Sequence, residues 1–111
     1  MTVTKHDTYY LLQDDYKDTK SFGQYLMRVV PERYEGKNLV VDLGVYSDIT
    51  LGHLLHFLEV SNHHRGAKNS FVFVCDTIDV DEIPLEMVVV PTLQEAGDII
   101  EMEEIERDLG F

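Results

Sequence analysis

The sequence predicts a single α/β domain with a four- to five-stranded sheet, mixed but mostly parallel, and helices packed against it. Two observations predict this class. Segments typical of strands alternate with amphipathic helical segments, and such alternation implies right-handed crossovers between parallel strands. Residues 38–43 are apolar on both faces, which is typical of a central strand covered by helices. A chain of 111 residues has room for one core, so residues 1–111 are assigned to one domain.

The chain is predicted to begin with a strand and an amphipathic helix. Aromatic and aliphatic residues at 8–13 predict the strand, and a shorter strand near Val3 would form a hairpin with it and make the sheet mixed. Residues 19–34 carry apolar side chains at helical spacing. Pro31 lacks a backbone donor and disfavours helix at Val30, so the helix either ends there or restarts with Pro31 in a first turn.

After the strand at 38–43, the sequence predicts a second helix and two further strands. The helix covers 49–64 and ends near Gly66, and its expected buried stripe is Leu51, Leu54, Leu55 and Leu58. Residues 70–75 form the clearest strand, and 87–90 form the next one. Between them lies an acidic segment with a short irregular turn.

The last predicted element is a helix that begins after Thr92. Thr92 and Glu95 have the spacing of a capping box, in which each side chain binds the backbone N–H of the other residue. The helix then carries apolar residues that we expect to face inward, namely Leu93, Ala96, Ile100, Ile105 and Leu109.

The charge distribution argues against binding to polyanions. The formal net charge is −12, and residues 76–111 hold twelve acidic side chains against one basic one, Arg107. Nucleic acids and anionic membrane surfaces are bound through lysine and arginine, so we expect neither as a partner. No apolar run approaches the roughly 20 residues that span a bilayer. The polar N-terminus and the lone Cys75 indicate a cytoplasmic protein.

Four segments in this order resemble those of a STAS domain, the module of sulphate transporters and anti-sigma-factor antagonists. They are the strand at 38–43, the polar turn and glycine-containing helix at 47–55, the strand at 70–75, and the strand and helix start at 88–96. The C-terminal residues 101–111 are similar to those of short Bacteroidetes-type STAS-like proteins, which sometimes carry a ribonuclease Z label. That nuclease needs a His-x-His-x-Asp-His metal cluster, which this sequence lacks, so we reject a nuclease assignment.

The resemblance implies a docking surface at the start of the second helix, with a phosphorylatable hydroxyl in typical members. Aligned on Asp48, the acceptor position holds Ile49, and counted from Asp42 it holds Leu51, so the usual hydroxyl is missing. The possible phospho-acceptors are Thr50 and Ser47. The predicted partner-docking residues are Asp48, Ile49, Leu51, Gly52, His53 and His56. On residue type alone, Ser47 or Asp48 is the expected N-cap of this helix.

The other chemistry-bearing residues do not predict an enzyme, a metal site or a cofactor. His53 and His56 could share one ion at i, i+3 spacing, but no third ligand follows the pattern of a zinc site, and we interpret them, with His63 and His64, as a solvated or interface face. Cys75 has acidic or apolar neighbours and is interpreted as a buried structural thiol. No Gly-rich phosphate-binding loop follows Asp42.

The sequence therefore predicts a non-enzymatic signalling module similar to an anti-sigma-factor antagonist. It would dock a protein partner, such as a kinase-like anti-sigma factor, through the start of its second helix. The alternative is a structural or homo-oligomerising protein without phospho-regulation, a homodimer formed through the exposed hydrophobic and histidine-bearing helix face. An enzyme is the third and weakest class.

Overall fold

The computed structural model describes residues 1–15 and 18–110 of the chain. In this part of the chain the structure has one mixed sheet of five strands, in the order β1-β2-β3-β4-β5, and the predicted fold class is confirmed. β1 is antiparallel to β2 and the other neighbours are parallel. The strands are β1 Thr2–Lys5, β2 Tyr10–Gln13, β3 Leu39–Asp42, β4 Phe71–Val74 and β5 Val88–Val90.

Within the described residues, four α-helices connect or flank these strands, with short 3-10 turns at Leu55–Phe57 and Val80–Glu82. The helices are α1 Thr19–Arg33, α2 Leu51–Leu54, α3 Leu58–Gly66 and α4 Leu93–Asp108. The alternation of side chains along each strand divides the core into two layers. One layer lies between the sheet and α1, α2 and α3, and among the described helices only α4 covers the opposite face.

α1 continues through Pro31 to Arg33, so the expected interruption at Pro31 is wrong. Val29 and Val30 are buried in the core on this turn. Their packing against the sheet outweighs the loss of one backbone hydrogen bond. The helix begins after Asp18, whose side chain accepts a hydrogen bond from the backbone N–H of Lys20 at 3.1 Å.

The predicted second helix is divided into α2 and α3 by a 3-10 turn, and its predicted stripe is only partly correct. Leu54 is buried, but Leu55 is 44% exposed. The buried position that follows is Phe57, whose ring lies 5.9 Å from that of Phe22 and 5.5 Å from that of Phe73. The tighter winding of the 3-10 turn brings Phe57 into line with Leu54, three residues earlier, which places the aromatic ring in the core.

The predicted start of α4 is correct, but its predicted inward face is correct only in its first half. Thr92 is the N-cap and accepts from the backbone N–H of Glu95 at 3.2 Å. Ala96 and Ile100 are buried. By contrast, Ile105 is 60% exposed and Leu109 68% exposed, which corrects their expected inward orientation.

Polar contacts hold the second half of α4 against the sheet in place of apolar ones. Arg107 donates to the Ser70 hydroxyl at 3.1 Å and to Oδ1 of Asn38 at 3.2 Å. Asn38 in turn donates to Glu104 at 2.6 Å. These bonds fix the helix where its apolar side chains no longer reach the core.

Candidate functional site

The start of α2 lies at the carboxyl edge of the parallel strands, where α/β folds commonly bind their ligands. The loop 43–50 connects β3 to α2 at this edge. Asp42, the last residue of β3, holds the beginning of the loop. Its Oδ1 accepts from the backbone N–H of Gly44 at 2.8 Å, and its Oδ2 accepts from the Gln13 amide at 3.1 Å. Asp42 is therefore a positioning residue for the loop.

Tyr46 holds the middle of the loop through a contact inside the protein. Its hydroxyl donates a hydrogen bond to Oδ2 of Asp14, a buried carboxylate at the end of β2. Burial, together with the hydrogen bond to Asp14, raises the pKa of the Tyr46 phenol above its ordinary value. The backbone N–H of Asp18 also donates to Asp14, at 3.3 Å, so this carboxylate joins the loop to the segment before α1.

Ile49 is the second anchor, and its predicted part in partner docking is wrong. Its side chain is 3% exposed and belongs to the main core layer. Its carbonyl accepts from the Thr77 hydroxyl at 3.0 Å. An aliphatic side chain in this position lowers the free energy of the loop by burial, and it cannot contact a partner without leaving the core.

Thr50 is the N-cap of α2, which corrects the expectation that Ser47 or Asp48 caps the helix. The Thr50 hydroxyl accepts from the backbone N–H of His53 at 3.4 Å, and Nδ1 of His53 accepts from the backbone N–H of Thr50 at 3.0 Å. This is a capping box with histidine in the place of the usual glutamate. Because Ile49 points into the core, the helix begins one residue after Thr50.

The two anchors leave an exposed surface that we call the α2 entrance, defined as residues 47, 48, 50–53 and 56. Ser47, Asp48, Thr50, Gly52 and His56 are exposed, and Leu51 and His53 are half-buried. A Cβ added at Gly52 would meet nothing closer than the Thr50 hydroxyl oxygen at 3.7 Å. The hydroxyls of Ser47 and Thr50 are therefore on the surface, and the loop backbone that carries them is held by the contacts of Tyr46 and Ile49.

A concavity of about 310 Å³ borders this surface. Its histidines are partly engaged within the protein: Nδ1 of His56 shares a hydrogen bond with the Thr19 hydroxyl at 2.9 Å. The His53 and His56 rings lie 6.5 Å apart. In residues 1–15 and 18–110 no three His, Cys, Asp or Glu side chains are grouped so that they could hold a metal ion. The residues lining the concavity are Asp18, Thr19, Tyr46, Asp48, His53 and His56.

Sequence reasoning missed four of the residues around this surface, namely Asp14, Asp18, Thr19 and Tyr46. A signal for Asp14 was present, because the ends of neighbouring parallel strands meet at one edge of the sheet. No local pattern pairs it with Tyr46, which lies 32 positions away along the chain.

Two other predicted residues lie away from the α2 entrance and differ from expectation. His64 is buried, not solvated, and its Nε2 donates to the Lys37 carbonyl at 2.6 Å. Burial lowers the pKa of this imidazole, against the opposing effect of the bond to Lys37. Cys75 is only half-buried, and its Sγ lies 3.4 Å from the Thr77 hydroxyl.

Comparison with known proteins shows the fold. No protein-family model matches the chain, and no curated protein does. Among solved structures the chain is similar to RsbS of Moorella thermoacetica, in a variant with a serine-to-glutamate substitution. The two chains are 18% identical, the match covers 91% of this chain and 94% of that one, and the TM-score is 0.66. The fold is thus STAS-like, and nothing in the comparisons supports a ribonuclease Z label. No helix in the described ranges is long and apolar enough to cross a bilayer.

Proposed function

We propose that this protein is a non-enzymatic regulatory module of the cytoplasm that docks a partner protein through the α2 entrance, in the manner of an anti-sigma-factor antagonist. One observation carries the proposal. The α2 entrance presents exposed hydroxyl, carboxylate and glycine positions on a backbone that Tyr46 and Ile49 hold in place from inside. Such a surface binds without first being ordered, which reduces the entropic cost of association.

The STAS-like fold supports the choice of partner class, a kinase-like anti-sigma factor. The match to RsbS extends over 91% of this chain. The surface is also suited to control by phosphorylation. A phosphate on Thr50 or Ser47 would add negative charge and three acceptor oxygens at the centre of the contact, next to Asp48. The modified surface would repel an acidic partner patch and attract an arginine.

The experiment is affinity capture by the full-length chain, with each purified kinase-like anti-sigma factor of the source organism as prey. We expect one of them to bind the unmodified protein. Gly52→Arg places a large side chain in the contact, and Asp48→Lys reverses one charge. Each should weaken binding by about tenfold or more if its position is central to the contact.

The matched control is Asp98→Lys, which makes the same charge change at an exposed position of α4 on the other face of the sheet. It should bind like the wild type. Equal loss of binding in Asp98→Lys and Asp48→Lys would contradict docking at the α2 entrance. Thr50→Asp, which retains a capping oxygen, compared with Thr50→Ser separates the effect of charge from that of the cap.

The alternative is a homodimer through the same helix face. Leu55, 44% exposed beside His56, is the apolar contact that such a dimer would use. Light scattering after size exclusion distinguishes the two functions. A dimer that Leu55→Lys converts to a monomer would favour the structural protein over the regulatory module.

A further inference from the structure

β5 is an edge strand whose outer side has no backbone partner among the described residues. Val90 faces β4, because its carbonyl accepts from the backbone N–H of Cys75 at 2.9 Å. Backbone groups alternate along a parallel strand, so Val88 also faces β4, and the N–H and C=O of Val89 point away from the sheet. A row of unpaired backbone groups at an edge is a template for another strand.

An apolar groove of about 340 Å³ runs beside this edge. Leu85 is 102% exposed and Val80 73% exposed, although both are large aliphatic residues on a surface that is otherwise rich in carboxylates. Ile99 borders the groove on the face of the sheet that α4 covers. The side chains that line it are Val80, Ile83, Pro84, Leu85, Met87, Val88, Val89, Val90 and Ile99.

The opposite edge of the sheet is protected in the ordinary way. All four residues of β1 are exposed, and three of them are polar: Thr2, Thr4 and Lys5. Polar and charged side chains on an edge strand discourage pairing with another chain. β5 is composed of three valines and has no such protection in its own sequence.

The charge around the groove selects its occupant. Segment 76–86 carries five acidic residues and no basic one. The single basic residue of 76–110, Arg107, is bonded to Ser70 and Asn38 at the far end of α4. A second copy of the chain would bring an equally acidic half against this rim, and like charges in contact destabilise an interface.

We propose that the outer edge of β5 binds an extended segment of a partner protein in which apolar residues alternate with lysine or arginine. The segment adds a sixth strand through the N–H and C=O of Val89. Its apolar side chains occupy the groove, and its basic side chains lie against the acidic rim. Main-chain bonds give the affinity in this mode of recognition, and the alternating side chains give the specificity. The site is separate from the α2 entrance and requires no phosphorylation.

The test is fluorescence anisotropy with the full-length protein and a labelled peptide of alternating valine and lysine. A peptide of alternating valine and glutamate is the charge control. We expect the basic peptide to bind, its affinity to fall with added salt, and the acidic peptide not to bind. Amide hydrogen exchange measured by NMR should slow at Val89 when the basic peptide is added.

Two variants separate strand addition from simple charge attraction. Leu85→Lys with Val80→Lys removes apolar groove surface at exposed positions and should weaken binding more than about tenfold, given the value of burying such side chains. Val89→Pro removes the outward N–H without removing a bond to β4, a position at which edge strands tolerate proline. The lysine pair keeps the test valid if the proline variant fails to fold.

The control is Val3→Lys, which adds a lysine at the opposite edge, where Val3 is 41% exposed. It should leave peptide affinity nearly unchanged. Protection that is absent at Val89, or equal weakening by Val3→Lys and by the groove substitutions, would overturn the proposal. These outcomes are independent of anti-sigma-factor capture at the α2 entrance, so the two proposals can fail separately.

Discussion

At the residue scale, the α2 entrance is shaped by two side chains of its loop that point into the protein. Tyr46 and Ile49 point inward on either side of the exposed polar pair at 47 and 48, and Thr50 becomes the cap because of where Ile49 must point. Ser47 and Asp48 are good capping residues by type, but they lie too early in the loop. Residue preference therefore predicts that a small polar residue caps the helix, and the packing of Ile49 determines which of these residues it is.

The buried imidazole of His64 predicts a pH dependence of stability. Its pKa in the folded protein lies below the ordinary value of 6.5, because burial disfavours the charged form. Folding therefore opposes protonation. The stability that the neutral, buried His64 contributes is fully present above the pKa of this histidine in the unfolded chain. It is lost as the pH falls through that value toward the lower pKa of the folded protein. We expect the free energy of unfolding of the wild type to fall as the pH is lowered below the ordinary histidine pKa of 6.5.

The matched variant is His64→Gln, whose amide can still donate to the Lys37 carbonyl but does not titrate. Urea denaturation at several pH values should give a shallower fall for the variant than for the wild type over this range. Parallel curves for the two proteins would show that His64 does not contribute to the pH dependence. The other four histidines are common to both proteins, and their effects cancel in the comparison.

At the element scale, α1 and the 3-10 turn after α2 approach each other closely at Gly23. A Cβ at this position would lie 2.4 Å from the backbone carbonyl oxygen of His56, so one element would have to move. We expect Gly23→Ala to lower the free energy of unfolding by about 2 kcal/mol, as overpacking of a core does. Chemical denaturation measures this change.

Gly97 of α4 provides the control, because it is also a helical glycine and receives the same substitution. A Cβ there would meet the Tyr9 ring at 3.7 Å, an ordinary contact. Gly97→Ala should stabilise the protein by about 0.5 kcal/mol, because alanine is the better helix former. If the two substitutions had the same sign, close approach at Gly23 would not be the cause.

The comparison of sequence and structure is clearest for the elements. Strands β3 and β4 were predictable, because an apolar run between polar residues has few other interpretations in an alternating α/β pattern. The break between α2 and α3 was not predictable. The leucines at 51, 54, 55 and 58 fit one straight helix, and only the contact of Phe57 with rings on α1 and β4 selects the tighter turn.

The same limit applies to α4 and to the candidate site. Ile105 and Leu109 continue the helical spacing of Ala96 and Ile100, but the polar contacts of Asn38, Ser70 and Arg107 place that half of the helix. Each contact joins residues more than 30 positions apart. The spacing of apolar residues depends only on local helix geometry, so it cannot predict hydrogen bonds between residues that are distant in the sequence.

At the scale of the whole molecule, the excess of negative charge affects both solubility and stability. A net charge of −12 on 111 residues favours solubility and destabilises the compact state through self-repulsion. Raising NaCl from about 10 mM to about 500 mM shortens the Debye length from about 30 Å to a few ångströms. We expect the thermal midpoint to rise by several degrees, measured by calorimetry.

The control removes charge from three exposed positions in the second half of α4, by Glu101→Gln, Glu106→Gln and Asp108→Asn together. Carboxylates near the C-terminus of a helix also oppose its dipole, so this variant should be more stable than the wild type at low salt. It should gain less from added salt. An equal or larger gain would mean that the salt acts by something other than screening these charges.

The bond from Thr77 to the Ile49 carbonyl has a consequence for regulation. Thr77 belongs to the chain that leads from β4 to the groove beside β5, and Ile49 lies directly under the α2 entrance. If a strand bound at β5 displaces this hydrogen bond, the two surfaces become energetically linked, although each can still bind its own partner alone. Linkage is reciprocal: any factor by which a strand on β5 changes the affinity for an anti-sigma factor is the factor by which that anti-sigma factor changes the affinity for the strand.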